Sequence, residues 1–325
     1  MVIAKENRLA LRFAVLAAAL VASLALALFK ANGQDAKAWS KMKADVNLFV
    51  ANDLGRNGYY QQRPIAELMG NMAEEIGPEC VLAVGDVHHF NGVVSVDDPL
   101  WTSNYESIYA HPELMIDWLP VLGNHEYRGN TQAVLDYAQR SRRWVMPARY
   151  YSRVYENDGT TVRVVMIDTT PLIEKYRNDS ITYPDACKQN NDAQLQWLDA
   201  TLKAAREDWV IVLGHHPVYA QTSKSDSERA DMQRVLLPVL RRYGNVAMYV
   251  CGHIHNFQHL RMAGDAIDYV VNSAGSLSRK VKAVEGTQFC SPEAGFSAIS
   301  ANKNSLALYM IDGKGVAINK VEHGK

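Results

Sequence analysis

The sequence contains only four cysteines in 325 residues, at positions 80, 187, 251 and 290. They form no thiolate set of the kind that holds a structural zinc. The chain also lacks a surplus of positive charge: 34 Lys and Arg against 35 Asp and Glu give a formal net charge of −1. A nucleic-acid partner is therefore not expected, because neutralising a phosphate backbone needs a basic face. Repeats of solenoid or propeller period and low-complexity tracts are absent as well, which removes arrays and disordered scaffolds from consideration. What remains is an ordinary globular mixture, 48% hydrophobic and 21% charged, able to bury a sizeable core.

The first 33 residues differ from the rest. Lys5, Arg8 and Arg12 precede an apolar run from Phe13 to Phe29, closed by Lys30 and small residues, with Ala31 and Gly33 at cleavage-site spacing. This is the layout of a secretory signal peptide. An uncleaved anchor is the competing reading, and residues 13–29 are at the short limit for spanning a bilayer. Under either reading the remainder is exported, secreted or periplasmic, with a membrane partner only if residues 13–29 persist as an anchor. Removing residues 1–33 takes four basic and one acidic residue and leaves a formal charge of −4. No linker divides residues 34–325, which read as one domain. Export permits disulfides. Cys80 and Cys251 lie in apolar runs and read as buried thiols, whereas Cys187 and Cys290 sit in polar loops and are the candidate pair.

Five short apolar segments each end in a cluster of metal-capable residues: VNLFVANDLG (46–55), CVLAVGD (80–86), WLPVLGNHE (118–126), WVIVLGHHP (209–217) and VAMYVCGHIH (246–255). Consecutive apolar residues rich in Val and Leu predict strands buried on both faces. Between them, 194–206 places Leu195, Leu198 and Leu202 on one helical face, and 228–244 has similar spacing. Alternating strands and helices predict an α/β fold, in which ligands collect beyond the carboxyl ends of the strands. Runs 161–170 and 266–275 extend the sheets, 305–322 reads as a hairpin around Gly313 and Gly315, and the polar segments 174–193, 221–231 and 278–294 read as loops.

Seven of the ten histidines fall in these strand-end clusters: His88, His89, His125, His215, His216, His253 and His255. Asp53, Asp86 and Asn124 add oxygen donors. Carboxylate and imidazole together suit iron, zinc or manganese better than calcium.

The ordered motifs NDLG, GDVHH, GNHE, GHHP and GHIH resemble the calcineurin-like metallophosphoesterases, and more closely the small, tartrate-resistant type of purple acid phosphatase, over about residues 46 to 320. The resemblance implies two packed mixed β-sheets flanked by helices, with a binuclear metal site at the strand ends. It implies two metals bridged by Asp86: Asp53, Asp86, His255 and the residue three after Asp86 for the first, and Asp86, Asn124, His215 and His253 for the second. His125 would stay unligated and face the substrate. One carboxylate can bridge two cations, which clamp a phosphate and activate a water for in-line attack on phosphorus. His125 would stabilise the phosphoryl charge or protonate the leaving alkoxide. In GHIH, alternate residues on an extended segment share one side, so His253 and His255 can serve adjacent ions.

The chain departs from the family at one informative place. Purple acid phosphatases carry tyrosine three residues after the bridging aspartate, whose phenolate binds iron(III) and gives the colour. Here that residue is His89, and Gly55 occupies the slot where the wider superfamily supplies an imidazole. Tyrosinate and two aspartates facing iron(III) plus a divalent ion leave two positive charges. Two aspartates facing two divalent ions leave the same two. The expectation is a divalent pair of zinc, manganese or iron(II), without purple colour and with a pH optimum shifted towards neutral.

His88 and His216 are expected at the substrate rim or packed beside it, and Asp168 in MIDTT as a structural residue. Glu126 is expected to begin a helix, with orienting a neighbouring histidine as the alternative. Arg279, Lys280 and Lys282 are expected to be a solvated loop, with guiding an anionic substrate as the alternative. The expected function is hydrolysis of small phosphate monoesters, with diester or pyrophosphate hydrolysis as the alternative on the same metal core. A non-catalytic phosphate-binding module is the rival from another class.

Overall fold

Four of the five apolar runs become inner strands of two sheets, and the fifth, at 118–126, supplies an edge strand. The computed structural model describes residues 39–325, and residues 43–325 make up one compact unit. The expected signal or anchor segment, residues 1–33, lies outside the described residues, among which no helix is long and apolar enough to cross a membrane. In chain order the strands are β1 (Val46–Ala51), β2 (Cys80–Ala83), β3 (Asp117–Pro120), β4 (Tyr151–Asn157), β5 (Thr160–Met166), β6 (Trp209–Leu213), β7 (Val246–Cys251), β8 (Phe257–Leu260), β9 (Asp268–Val271), β10 (Thr287–Ser291), β11 (Gly295–Ala301), β12 (Ser305–Asp312) and β13 (Ala317–Gly324).

One sheet runs β13-β12-β11-β1-β2-β3 and the other β10-β8-β9-β7-β6-β5-β4. Both are mixed: β1, β2 and β3 are parallel, as are β5, β6, β7 and β9, while the outer pairs are antiparallel. The expected α/β architecture of two mixed sheets flanked by helices is what the chain adopts. Every residue of β1, β2 and β6 is buried. Each fully buried Val, Leu or Ile contributes about 1.5–3 kcal/mol, so these strands hold the sheet centres. Edge strands β4 and β13 bury only part of their residues.

The helix Gln62–Ile76 turns Ile65, Met69, Met72 and Ile76 inward and stops at Gly77, whose left-handed φ of 65° suits glycine. The helix predicted over 194–206 spans Asn191–Ala204 and is capped by the Asn190 side chain, which accepts from Ala193 N at 3.0 Å. Leu198 and Leu202 are buried as expected, but Leu195 is only half-buried. Gln194 points inward instead, bonding both the N–H and the carbonyl of Asp168 at 2.8 and 2.9 Å.

Several expectations need correction. The segment 174–193, read as a loop, carries the short helix Glu174–Arg177, and 221–231 runs into the helix that begins at Ser227. The single helix over 228–244 is two, Ser227–Val235 and Leu237–Arg241, because Pro238 has no N–H to continue the first. The loop 278–294 contains β10, which adds to the edge of β8. Cys187 and Cys290 are not joined: all four cysteines are free, with Cys80 and Cys251 buried as expected. Cys187 lies in the short 3-10 turn Ala186–Lys188 and Cys290 on strand β10.

The remaining histidines are structural. Buried Asp268 on β9 accepts from His259 Nε2 at 2.6 Å and Arg261 Nε at 2.8 Å, and pairs with the His323 ring from β13. One carboxylate thus ties the two sheets together.

Candidate metal centre

Every chemistry-bearing loop follows the carboxyl end of a parallel strand. Asp53 lies two residues past β1, Asp86 and His89 past β2, Asn124 past β3, His215 past β6, and His253 and His255 past β7. Because both sheets end at the same edge of the molecule, residues about 200 positions apart meet: the Asp53 carboxylate accepts from His253 N at 2.9 Å.

Two groups of donors form around Asp53 and Asp86. His255 Nε2 lies 3.0 Å from Asp53 Oδ1, and His89 Nε2 lies 3.9 Å from that oxygen and 3.7 Å from Asp86 Oδ2. On the other side His215 Nε2 is 3.0 Å from Asp86 Oδ2, and His253 Nδ1 is 3.3 Å from His215 Nε2. Asn124 Oδ1 and both ring nitrogens of His89 are buried without a hydrogen-bond partner. An unpaired buried polar group costs about 1–3 kcal/mol, and bound cations are the chemistry that satisfies several such donors at once. The oxygen and imidazole mixture therefore fits a pair of transition-metal or zinc ions.

Electrostatics prepare the donors. Burial alone would raise both carboxyls, but His255 beside Asp53 and His215 beside Asp86 reverse this and hold them below the usual carboxylate range. Burial keeps His89 neutral, and burial with the nearby Lys224 ammonium lowers His253 to about 3, so their lone pairs are free to donate. Against its own burial, His215 is raised by Asp86 to about 9.

Outer hydrogen bonds fix which nitrogen faces the centre. His215 Nδ1 bonds the Val84 carbonyl at 2.9 Å and His255 Nδ1 the Leu277 carbonyl at 2.7 Å, leaving each Nε2 inward. His253 is reversed: Nε2 meets Glu228 Oε2 at 3.0 Å and Lys224 Nζ at 2.8 Å, so Nδ1 faces inward.

The backbone is strained at this site. Asp53, Asp86, His253 and His255 have φ of 52°, 53°, 70° and 65°, a region that costs a non-glycine residue about 1–3 kcal/mol and that clusters at functional sites. This corrects the expectation for GHIH. The segment is not extended, because Ile254 N closes a tight turn onto the Gly252 carbonyl at 2.8 Å. The left-handed pair still sends His253 and His255 to different carboxylate neighbours. Gly55 explains the missing imidazole of the first motif: a Cβ there would overlap the Val87 carbonyl and crowd the His88–His89 backbone. With that space filled by main chain, His89 enters from the other side. Gly123 is as constrained, since a Cβ would overlap the Asp86 carboxylate.

Of the two placements expected for His88 and His216, the rim is corrected and the packed one is found: both are fully buried. The His88 ring packs edge-on to Trp101 at 4.4 Å, and burial lowers it to about 3. His216 is held by Thr169 Oγ1 at 2.9 Å, with its ring 4.4 Å from that of His253. His125 does line the cleft; its Nδ1 bonds the Phe90 carbonyl at 2.6 Å, and its Nε2 lies 3.8 Å from Asp86 Oδ2. Glu126 begins a short 3-10 turn as expected, but its buried carboxylate also accepts from the backbone of Asp86, His88 and Gly123 at 2.8, 3.1 and 2.7 Å. It stitches two ligand loops together.

The cleft of about 410 Å³ over the centre is also lined by Arg56, Arg128, Lys175, Lys224 and Arg279. Arg279 is exposed, as expected of a solvated loop, and it also lines the cleft, with its backbone N–H donating to the His255 carbonyl at 2.6 Å. Arg56 follows directly on the NDLG motif, a position that could have marked it. Glu228 and Lys224 sit in a polar segment with no local signature, and only packing brings them to His253.

Asp168 is structural, as expected. Its buried carboxyl accepts the Tyr127 hydroxyl and lies 4.0 Å from Arg149 Nη1. Burial, opposed by Arg149, raises it from 3.8 to about 7. The native state therefore favours the protonated form; the stability this contributes is complete below about pH 4 and lost as pH rises through about 7. Asp168→Asn is expected to flatten that fall by up to about 4 kcal/mol, read as the difference between wild-type and variant urea midpoints across this range. Parallel profiles would contradict the assignment.

Residues 46–257 match the calcineurin-like phosphoesterase family. Purple acid phosphatase 17 of Arabidopsis thaliana is 31% identical over 245 residues, 73% of this chain and 70% of its own. Tartrate-resistant acid phosphatase type 5 of Oryctolagus cuniculus is 32% identical over 217 residues, 65% of each. Among solved structures, GAP50, the anchor in the inner membrane complex of Plasmodium, is similar with a TM-score of 0.74 at 20% identity over 87% of this chain and 89% of its own. A dimetal phosphatase from Danio rerio gives 0.58 at 15% over 87% and 99%. These structural likenesses speak for the fold. With the sequence matches beside the donor geometry, the chain belongs to the calcineurin-like phosphoesterase family as a metallophosphatase of the purple acid phosphatase group.

Proposed function

We propose that residues 34–325 form an exported catalytic domain that hydrolyses phosphate monoesters with two divalent metal ions. The proposed ligands are Asp53, Asp86, His89 and His255 for one ion and Asp86, Asn124, His215 and His253 for the other. The observation that carries this reading is Asp86: its buried Oδ2 is approached by His215, His89 and His125 at 3.0, 3.7 and 3.8 Å. When bound, the two ions would supply Lewis acidity and lower the pKa of a water nucleophile.

The chain's own groups do the rest. Arg56 has two buried guanidinium nitrogens without partners, and it lines the cleft with Arg128 and Arg279, so a phosphate dianion meets oriented donors. In hydrolysis, the water oxygen bonds to phosphorus as the P–O ester bond breaks, and the leaving alkoxide takes a proton. With Nδ1 committed to the Phe90 carbonyl, His125 presents Nε2 to the cleft as the atom that holds this proton or bonds the phosphoryl oxygens.

His125→Ala is expected to lower kcat/KM for phenyl phosphate by about 10²–10⁴-fold, and Asn124→Ala to lower it together with metal content. Unchanged turnover in either variant would show that the site lies elsewhere. Wild-type enzyme should prefer phenyl phosphate to a bis-aryl phosphodiester, and the opposite preference would favour the phosphodiesterase alternative.

A further inference from the structure

Among the described residues only three Phe, Tyr or Trp side chains are exposed: Tyr59 at 73%, Tyr60 at 62% and Phe90 at 66%. All three line one cavity of about 390 Å³, together with Arg56, Asn57 and His89. Exposed large apolar side chains gathered in one place are informative where scattered ones are not. Arg56, His89 and Phe90 also line the metal cleft, so the two cavities share a wall.

The tyrosines that line the cleft itself, Tyr176 and Tyr183, are not exposed. Arg128 lies over the Tyr183 ring at 5.6 Å and Lys175 over the Tyr176 ring at 5.1 Å. Among the residues lining the aromatic cavity the cation is Arg56, whose guanidinium sits 4.7 Å from the Phe90 centroid, between the phosphate cleft and that cavity. That cavity is large enough for a planar ring, since about 150 Å³ of apolar space takes up benzene.

The turn that presents the two tyrosines is held firmly. Arg56 N and Gly58 N donate to the buried Gln62 Oε1 at 3.0 and 2.8 Å, Gln62 Nε2 bonds the Asn104 carbonyl at 2.8 Å, and Asn57 N donates to Asn104 Oδ1 at 2.6 Å. Within it Tyr60 takes a left-handed φ of 56°. A bulky residue there is an outlier that persists only where its surroundings enforce it, and such outliers cluster at ligand sites.

We propose that Tyr59, Tyr60 and Phe90 form a leaving-group subsite, so that the preferred substrates are small phosphate monoesters whose alcohol carries a flat aromatic or heteroaromatic ring. This rests on the phosphomonoesterase reading above. A ring entering the cavity buries apolar area against three faces that are otherwise wet and gains stacking geometry with them. The phosphate stays in the cleft under Arg56.

The test compares metal-replete wild type with Tyr59→Ala/Tyr60→Ala and Tyr59→Phe/Tyr60→Phe on benzyl phosphate, O-phosphotyrosine, adenosine 5′-monophosphate and propyl phosphate. Benzyl and propyl phosphate leave similar alcohols, and the wild-type-to-variant ratio of kcat/KM cancels intrinsic reactivity. The double alanine variant is expected to lose about tenfold more on at least one ring-bearing ester than on propyl phosphate. The double phenylalanine variant, which keeps the rings, is expected to recover that difference. A larger loss on phosphotyrosine assigns aryl esters, and a larger loss on the nucleotide assigns nucleoside phosphates. Equal losses on all four substrates overturn the subsite. No turnover of any of them by wild type overturns the phosphomonoesterase reading instead.

Discussion

Asp86→Ala is expected to lower phosphomonoester turnover by at least about a thousandfold and to strip both metal positions together. The reason is geometric. Among the described residues Asp86 is the one carboxylate with an oxygen within 4 Å of His215, His89 and His125 at once, and its other oxygen accepts from His125 N at 2.9 Å. Removing it takes a donor from both groups and releases the loop that carries Asn124 and His125. The fold should survive, because the Asp86 N–H remains bound to Glu126 and β2 stays buried. Elemental analysis of the purified variant, alongside its thermal melt and turnover, checks this. A folded variant with two metal equivalents and ordinary activity would show that Asp86 is not a bridge.

The second large effect concerns His89. Metal-replete wild type is expected to lack a strong visible charge-transfer band, because no phenolate stands among the donors, and to work best nearer neutral pH than a site built on iron(III). His89→Tyr loaded with iron is expected to gain such a band. The position can deliver a ligand to either carboxylate: His89 Nε2 is nearly equidistant from Asp53 Oδ1 and Asp86 Oδ2, at 3.9 and 3.7 Å. Its ring is buried, neutral and 4.2 Å from that of His125. Absorption spectra of the two proteins and their pH–rate profiles decide the matter. An intense visible band in wild type, or an optimum well below about pH 5, would overturn the divalent assignment.

The strands and the donor set were legible in the sequence for one reason: both depend on local pattern. Continuous Val and Leu runs specify strands buried on both faces, and in an α/β topology each such strand must deliver its carboxyl end to a common edge. The strand ends therefore bring Asp53, Asp86, Asn124, His215, His253 and His255 to one edge. Even the loss of the first-motif imidazole was visible as Gly55 beside His89.

Other features were decided by tertiary contact. Whether His88 faces substrate depends on Trp101, which lies outside the motifs and buries its ring. Which nitrogen His253 turns inward depends on Glu228, carried by a helix 25 residues upstream. Arg279 is a solvated charge in sequence and structure alike, and only the docking of its backbone on His255 brings it to the cleft. The left-handed turn of GHIH is imposed by the neighbours that fill the space around Gly252, not by its residues' own preferences. The sequence by itself determined where the strands end and which donors stand there, because periodicity and residue type are local properties. Only the tertiary structure decided how those donors point and which charges and rings surround them, because burial, tautomer and cavity shape belong to residues that meet through packing and share no pattern along the chain.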